Sequence, residues 1–177
     1  MGYTKTINYR YFLPFLMIFI GICENFGKSS YCFHTEKETA AKAISTCKVT
    51  GGKLVEPRNE NENNFVANHA KDKLISQLWI GVNDISTEDS FKYDSKDIDI
   101  VWNNWAANQP NNHDGNEDCV AIGLSMMTVS DGTSEFQVTT PGVWYDQSCT
   151  FKKAFVCEYS GKGNIFINTY TVRLRLT

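Results

Sequence analysis

The chain has 177 residues, of which 42% are hydrophobic, and its formal net charge is −3 at pH 7. This length suits one domain with short tails, and the apolar fraction is sufficient for a buried core. An acidic chain without a basic run argues against nucleic acids and anionic membrane surfaces as partners. Cations are therefore the more natural ligands.

Residues 1–23 have the pattern of an export signal. Lys5 and Arg10 supply positive charge before an apolar run over residues 11–22, which is shorter than the about 20 residues a membrane-spanning helix needs. Small residues precede a predicted cut before Glu24. We therefore predict a secreted, extracellular protein, with an uncleaved anchor as the alternative.

The mature chain is expected to divide into a domain over residues 24–160 and a tail over residues 161–177. Apolar residues alternate over residues 165–176 of the tail, which is typical of a strand. No role follows for this extra strand from the sequence.

The six cysteines of an exported chain predict disulfides. If Cys23 survives cleavage, it can pair with Cys32 across an N-terminal hairpin. If it is removed, Cys32 is left over and can link two chains, so both a monomer and a homodimer, disulfide-linked or non-covalent, stay open. The cysteines are Cys23, Cys32, Cys47, Cys119, Cys149 and Cys157. No Cys-x-x-Cys pair is present, which argues against a zinc finger.

Two helices are predicted in the first half of the domain. Thr35 and Glu38 have capping-box spacing, which predicts a helix start at Thr35. A buried stripe at helical spacing follows and ends at Cys47, before the Gly51–Gly52 pair that ends the helix. The stripe consists of Ala40, Ala43, Ile44 and Cys47. A second helix is predicted over residues 59–73, with an inner face of Phe65, Val66 and Ala70.

Short apolar runs after the helices predict buried strands, so the fold class is α+β. These runs cover residues 78–82, 98–102, 119–124, 142–145 and 154–159. The segment over residues 125–141 is rich in Ser and Thr and is either an inserted hairpin or a loose loop. It either extends a binding surface or is a tolerated insertion.

The polar stretch over residues 105–119 concentrates oxygen donors around one proline and one glycine. A solvated loop is the simpler interpretation, because Asn, Asp, Gly and Pro are common loop residues. Hard oxygen donors nevertheless suit Ca²⁺, and the cysteine at the end can fix the base of the stretch. The donors are Gln109, Asn111, Asn112, Asp114, Glu117 and Asp118.

Several short motifs follow one another at a characteristic spacing over residues 31–159. They are the helix ending in Cys47, Trp-Ile-Gly at 79–81, Trp105, Gln-Pro-Asn at 109–111, Glu-Asp-Cys at 117–119, Trp-Tyr-Asp at 144–146, Cys149 and Phe-Val-Cys-Glu at 155–158. In this order and spacing the motifs resemble those of the C-type lectin-like domain. The resemblance implies two helices flanking short antiparallel sheets, a long calcium-binding loop region, and the disulfides Cys47–Cys157 and Cys119–Cys149.

The resemblance also implies a principal calcium site at the proline tripeptide. Its ligands would be Gln109, Asn111, Glu117 and Asp146, with a cis peptide bond before Pro110. A sugar would bind the ion directly through two vicinal hydroxyls, since Ca²⁺ takes 6–8 oxygens. The sugar-binding set would be the same four residues together with Tyr145.

Two departures from the family pattern affect this site. Sugar-binding members usually have Asn where this chain has Tyr145, and a tyrosine offers no side-chain carbonyl, so we expect weak, near-millimolar calcium binding. Family members with Glu-Pro-Asn tend to prefer mannose-type sugars and those with Gln-Pro-Asp prefer galactose. Gln109 and Asn111 are both amides, each able to donate and accept, so the rule does not decide the preference.

A second calcium site is implied near the first. Its ligands would be Asp84, Glu88, Glu117 and Asp118, with Asn112 nearby. An exposed acidic loop is the alternative for Asp84 and Glu88. At least three of the four tryptophans are expected in the core rather than at a sugar-stacking surface.

The function expected from these features is calcium-dependent binding of carbohydrate, as a mono- or oligosaccharide or glycoconjugate. The alternative is a lectin-like module with a degenerate sugar site that binds protein or mineral. No Ser-His-Asp or Cys-His grouping supports an enzyme, and the carboxylate spacing suits metal ligation better than acid–base catalysis.

Overall fold

The computed structural model describes residues 22–130 and 135–161. The predicted tail strand and all but the last two residues of the predicted leader lie outside this part of the chain. The first element, strand β1 (Ile22–Phe26), pairs antiparallel with β2 (Ser29–Glu38). Cys23 and Cys32 face each other in this hairpin and form a disulfide. The predicted cut before Glu24 would remove Cys23, so this disulfide forms only in a chain that retains Cys23.

Helix α1 (Ala40–Val49) begins later than its predicted capping box. Its N-cap is Thr39, whose side chain accepts a hydrogen bond from the Lys42 N–H. The prediction of a start at Thr35 was wrong, because β2 continues to Glu38 and pairs there with Lys153, far along the chain. The predicted stripe is buried at Ala40, Ala43 and Cys47 and partly buried at Ile44.

Helix α2 (Glu60–Asp72) confirms the second predicted helix. The Asn59 side chain caps it by accepting from the Glu62 N–H at 3.0 Å. Val66 and Ala70 are buried on its inner face, while Phe65 is partly buried. Asn63 on the same face is fully buried and donates to the Gly142 carbonyl, which ties α2 to the strand that leads into the candidate site.

Seven further strands complete one mixed sheet with β1 and β2. They are β3 (Lys53–Leu54), β4 (Gln77–Asn83), β5 (Lys92–Tyr93), β6 (Ile98–Asp99), β7 (Cys119–Ser130), β8 (Glu135–Gln147) and β9 (Lys153–Ser160). β4 runs parallel to β9, and the other pairs are antiparallel. The predicted strand over residues 98–102 was too long, because the chain leaves the sheet after Asp99 and Trp102 packs edge-on against Trp144.

The inserted segment is a hairpin rather than a loose loop. β7 and β8 stay in register from the Cys119–Gln147 pair to the Ser130–Glu135 pair, with one irregularity after Gly123. The first part of β7 also pairs with β4, and beyond Gly123 no further strand among the described residues joins β7 and β8. The two strands therefore continue as a two-stranded ribbon.

The core lies on both faces of the sheet, and disulfides close it. Cys47–Cys157 joins α1 to β9 and Cys119–Cys149 joins the start of β7 to the segment after β8, which are the two pairings implied by the family resemblance. All six cysteines are thereby paired. Trp79 and Trp144 are fully buried, and Trp105 packs edge-on against Trp144, which confirms a core role for most tryptophans. No helix in the described part of the chain is both long and apolar enough to cross a membrane.

Candidate functional site

Backbone bonds to β8 hold the proline tripeptide beside the end of that strand. The Trp144 N–H donates to the Asn104 carbonyl at 2.8 Å, and the Ala106 N–H donates to the Trp144 carbonyl at 2.9 Å. The chain then turns back, and the peptide bond between Gln109 and Pro110 is cis, as the resemblance implies. Two sequence-distant segments, residues 104–112 and the end of β8, thus meet at Asp146.

Asp146 is the buried centre of this meeting point. Asp146 is only 1% exposed. Its Oδ2 accepts hydrogen bonds from the backbone N–H groups of Asn111 (2.8 Å) and Asn112 (2.6 Å). Its other oxygen, Oδ1, is buried without a hydrogen-bond partner among the described residues, and so is Gln109 Oε1. A buried oxygen without a partner is costly, so each of the two atoms is an available acceptor for a ligand.

Asn111 and Glu117 turn their oxygens toward one shared donor. The His113 N–H donates to Asn111 Oδ1 and to Glu117 Oε2, each at 3.0 Å, so the two acceptors lie within 6.0 Å of each other. The tight turn between them places Asn112 and Asp114 at positive φ, a conformation that Asn and Asp tolerate better than most residues. Asn112 Oδ1 also accepts from the Glu117 N–H at 3.1 Å, which holds the turn closed.

Tyr145 is not brought together with these four residues. Its ring covers Gly123 near Gln77, so that a Cβ built on Gly123 would lie 3.1 Å from the ring atom Cε2. The neighbouring residues Trp144 and Asp146 are buried. With its ring over Gly123, the tyrosine side chain supplies no carbonyl oxygen next to Asp146.

The second predicted set is built around Asp84, which is only 3% exposed and not part of a solvated acidic loop. Its Oδ2 accepts from the Asp89 N–H at 2.9 Å, and Oδ1 is buried without a partner in the described part of the chain. The Asp84 N–H donates to the Asp118 carbonyl at 3.1 Å, which joins the two predicted ligand segments. Glu88 is exposed at the edge of the same loop.

The surroundings of Asp84 disfavour the charged form of its carboxyl group. Burial raises its pKa to about 6, and the nearby Glu88 and Asp118 carboxylates add to the rise while the Asp89 N–H opposes it. A divalent cation would relieve this repulsion. Among the described residues, however, no three His, Cys, Asp or Glu side chains are grouped closely enough to hold a metal by themselves. Both candidate sets therefore depend on the amide oxygens of Gln109, Asn111 and Asn112.

The candidate residues were named from the sequence, but some of the hydrogen bonds that hold them in place were not predicted. The N–H groups of Asn111 and Asn112 on Asp146 are backbone donors, which leave no mark in the residue types. The Asp89 N–H on Asp84 is of the same kind. The one sequence signal for these backbone donors is the run of Asn and Asp residues, which suggests positive φ and local turns.

Two helices, a mixed sheet, three disulfides and a cis-proline loop together define the C-type lectin-like class. Comparison with known proteins gives the same result. The family model described as "Lectin C-type domain" matches residues 36–159, and the chain belongs to this family. The family consists of binding proteins rather than enzymes, in agreement with the expectation from the sequence.

The chain is similar to a collectin and to two solved structures. Collectin-10 of Xenopus tropicalis is 28% identical over 145 residues, which is 82% of this chain and 46% of that protein. The carbohydrate-recognition domain of the mouse scavenger receptor C-type lectin superposes with a TM-score of 0.65 at 25% identity, covering 79% of this chain and 96% of that domain. Herring type II antifreeze protein has the same fold, with a TM-score of 0.61 at 22% identity over 79% of this chain and 97% of that one. The chain spans less than half the length of the collectin it matches.

Proposed function

We propose that this protein is a secreted, calcium-dependent carbohydrate-binding protein whose sugar site is the proline tripeptide loop. The proposal is carried by two buried oxygens that have no hydrogen-bond partner among the described residues, Asp146 Oδ1 and Gln109 Oε1. Asn111 and Glu117 offer two more oxygens close to each other. This donor set is all oxygen and mixes amide with carboxylate, which is the chemistry Ca²⁺ prefers.

Gln109, Asn111, Glu117 and Asp146 would hold the principal ion. When bound, the ion supplies a Lewis-acidic attachment point for two vicinal hydroxyls of a sugar. The chain's own contribution is to orient the hydroxyls: the amide groups of Gln109 and Asn111 can each donate and accept, whereas the carboxylates accept. Asp84, Glu88, Asp118 and the shared Glu117, with Asn112 nearby, would hold a second ion that fixes the loop.

Tyr145 supports weak rather than tight calcium binding. Because the Tyr145 ring packs over Gly123, four residues are left to offer side-chain ligands to the ion, and two of these are carboxylates. A dissociation constant near the millimolar range of extracellular modules follows. Secretion is supported by the three disulfides, which persist in oxidising compartments. In this form Cys32 is paired, so no cysteine remains for a covalent homodimer.

Binding to immobilised glycans in calcium and in excess chelator tests the proposal. Signal that disappears in chelator and returns when calcium is restored supports it. Glu117→Gln, which keeps the side-chain shape but removes one carboxylate, should need several-fold more calcium for the same signal. Asn116→Ala is the matched control, because Asn116 lies in the same loop and contacts Ser148 instead of the candidate ligands. Binding that chelator leaves unchanged would refute the proposal.

A second candidate is a lectin-like module that binds protein or mineral without a sugar. The orientation of Tyr145, away from Asp146, favours it, because one expected ligand is missing. Calcium titration separates the two functions. No change in tryptophan fluorescence up to about 10 mM Ca²⁺, above the weak extracellular range, would favour this second candidate.

A further inference from the structure

A groove with a volume of about 380 Å³ lies beside the proline tripeptide. One wall comes from the segment around β5 and β6 and the other from the loop that carries Trp105 and Pro110. Its volume falls within the range of small-molecule sites. We call it the acidic groove, because Asp89 and Asp99 are its charged lining residues.

Aromatic side chains line the same groove. Phe91 and Trp105 meet edge-on with ring centroids 4.7 Å apart, and both are only partly buried. Aromatic faces attract cations through their quadrupole, which adds to the attraction of a carboxylate. The aromatic and acidic side chains that line the groove therefore favour a ligand that has both an apolar face and a positive charge.

In the described part of the chain, no basic side chain lines the acidic groove or forms a salt bridge with its carboxylates. Lys92 lies opposite Asp99 in the strand register, but its ammonium contacts Asp97 at 3.2 Å, and Asp97 does not line the groove. Within the described residues, neither Asp89 nor Asp99 forms a salt bridge to a lysine or arginine. The carboxylates are thus available to a cationic ligand.

The groove adjoins the candidate sugar site at Pro110. Pro110 lines it, and the flanking residues Gln109 and Asn111 are candidate calcium ligands. A sugar held at the ion would place its next residue near this wall. A neutral hexose could fill the volume, but it would leave two carboxylates without a countercharge.

We propose that the acidic groove is a second subsite that takes the protonated amine of an amino sugar, linked to the sugar residue bound at the calcium ion. The inference rests on the proposed function for the position of the first sugar residue. Its own basis is the groove, its aromatic wall and its two carboxylates. The substrate class is therefore a glycan with a free amine on the residue next to the one held by the ion.

The test compares two disaccharides that differ only in acetylation of the amine. Mannosyl- and galactosyl-glucosamine and their N-acetyl counterparts are titrated by calorimetry at about pH 6.5, below the ordinary pKa of such an amine. The ratio of the two affinities cancels any effect of pH on calcium itself. The two exposed carboxylates and an aromatic face together predict about a fivefold preference for the free amine.

Asp99→Asn is the diagnostic variant, because Asp99 is exposed on β6 and is not a candidate calcium ligand. It should lower affinity for the free amine about threefold and leave the acetylated ligand unchanged. Asp72→Asn, an equal charge change at the exposed end of α2, is the control and should change neither affinity. Asp89 is left intact, since its N–H supports Asp84.

Several outcomes overturn the inference: equal affinity for both ligands, an equal effect of Asp99→Asn and Asp72→Asn, or no binding of the free amine. Failure of the proposed function has a different signature. In that case, chelator would leave the acetylated ligand's binding unchanged. A preference for the amine that Asp99→Asn alone reduces would still support the groove as a binding site.

Discussion

Protons should compete with calcium at Asp84, and the structure gives the size of the effect. With the ion absent, the pKa of Asp84 is about 6, whereas an ordinary aspartate lies at 3.8. Because a metal ligand must be deprotonated, the apparent calcium affinity scales with the ionised fraction. That fraction is about nine-tenths at pH 7 and about one-eleventh at pH 5, so affinity should fall about tenfold over these two pH units. An ordinary aspartate would lose less than about a tenth of its ionised form at pH 5.

Calcium titrations followed by tryptophan fluorescence at pH 7, 6 and 5 measure this dependence. Calorimetry in two buffers of different ionisation enthalpy should also show proton release on binding at pH 6. Asp84→Asn keeps an acceptor for the Asp89 N–H but cannot titrate, so its residual calcium affinity should be independent of pH. Asp72→Asn, at the end of α2, should retain the full tenfold dependence.

The stability of the calcium-free protein should change in the opposite direction. A raised folded pKa means that Asp84 stabilises the fold below its ordinary pKa and that this contribution is lost as pH rises through about 6. The thermal unfolding temperature measured in chelator should therefore rise between pH 6 and pH 4 relative to that of Asp84→Asn.

Equal calcium affinity at pH 7 and pH 5, within twofold, would show that Asp84 is not a ligand or is not electrostatically strained.

Three further substitutions test other parts of the account. Asn111→Ala should reduce sugar binding at least tenfold without changing secretion or circular dichroism, because it removes one ion ligand from an exposed loop; loss of secretion would show a structural role instead. Tyr145→Asn should tighten calcium binding about tenfold by restoring a carbonyl ligand, at a cost of about 1–2 kcal/mol from lost packing on Gly123; an unchanged calcium midpoint would mean that the tyrosine is not the defect. Replacing Cys47 and Cys157 by Ala opens a loop with a sequence separation of 110 residues, so urea unfolding should show a loss of about 4–5 kcal/mol; a loss below about 1 kcal/mol would contradict the loop-closure argument.

Local patterns predicted the elements whose signals lie close together in the chain. Helix α2 was found within one residue at each end, because Asn59 caps it and its apolar residues recur at helical spacing. Thr35 and Glu38 carry an equally good local signal and are in a strand. Pairing of β2 with β9, more than a hundred residues away, overrides it. A pairing partner so distant leaves no mark in a short window.

The candidate site also has parts that the sequence predicted and parts that it did not. The candidate ligands from Gln109 to Asp146 were implied by the family resemblance, because the family's motifs occur here in the same order and spacing. The acidic groove was not predicted, since Phe91, Asp99 and Pro110 come from segments that no spacing rule connects. The direction of the Tyr145 ring likewise depends on Gly123, which only strand register places beneath it.

A crystal structure grown in abundant calcium with a bound monosaccharide tests the central claim most directly. The account predicts an ion in contact with side-chain oxygens of Gln109, Asn111, Glu117 and Asp146, with two neighbouring sugar hydroxyls completing its coordination. Water alone between Asn111 and Asp146, in crystals that hold calcium elsewhere, would contradict it.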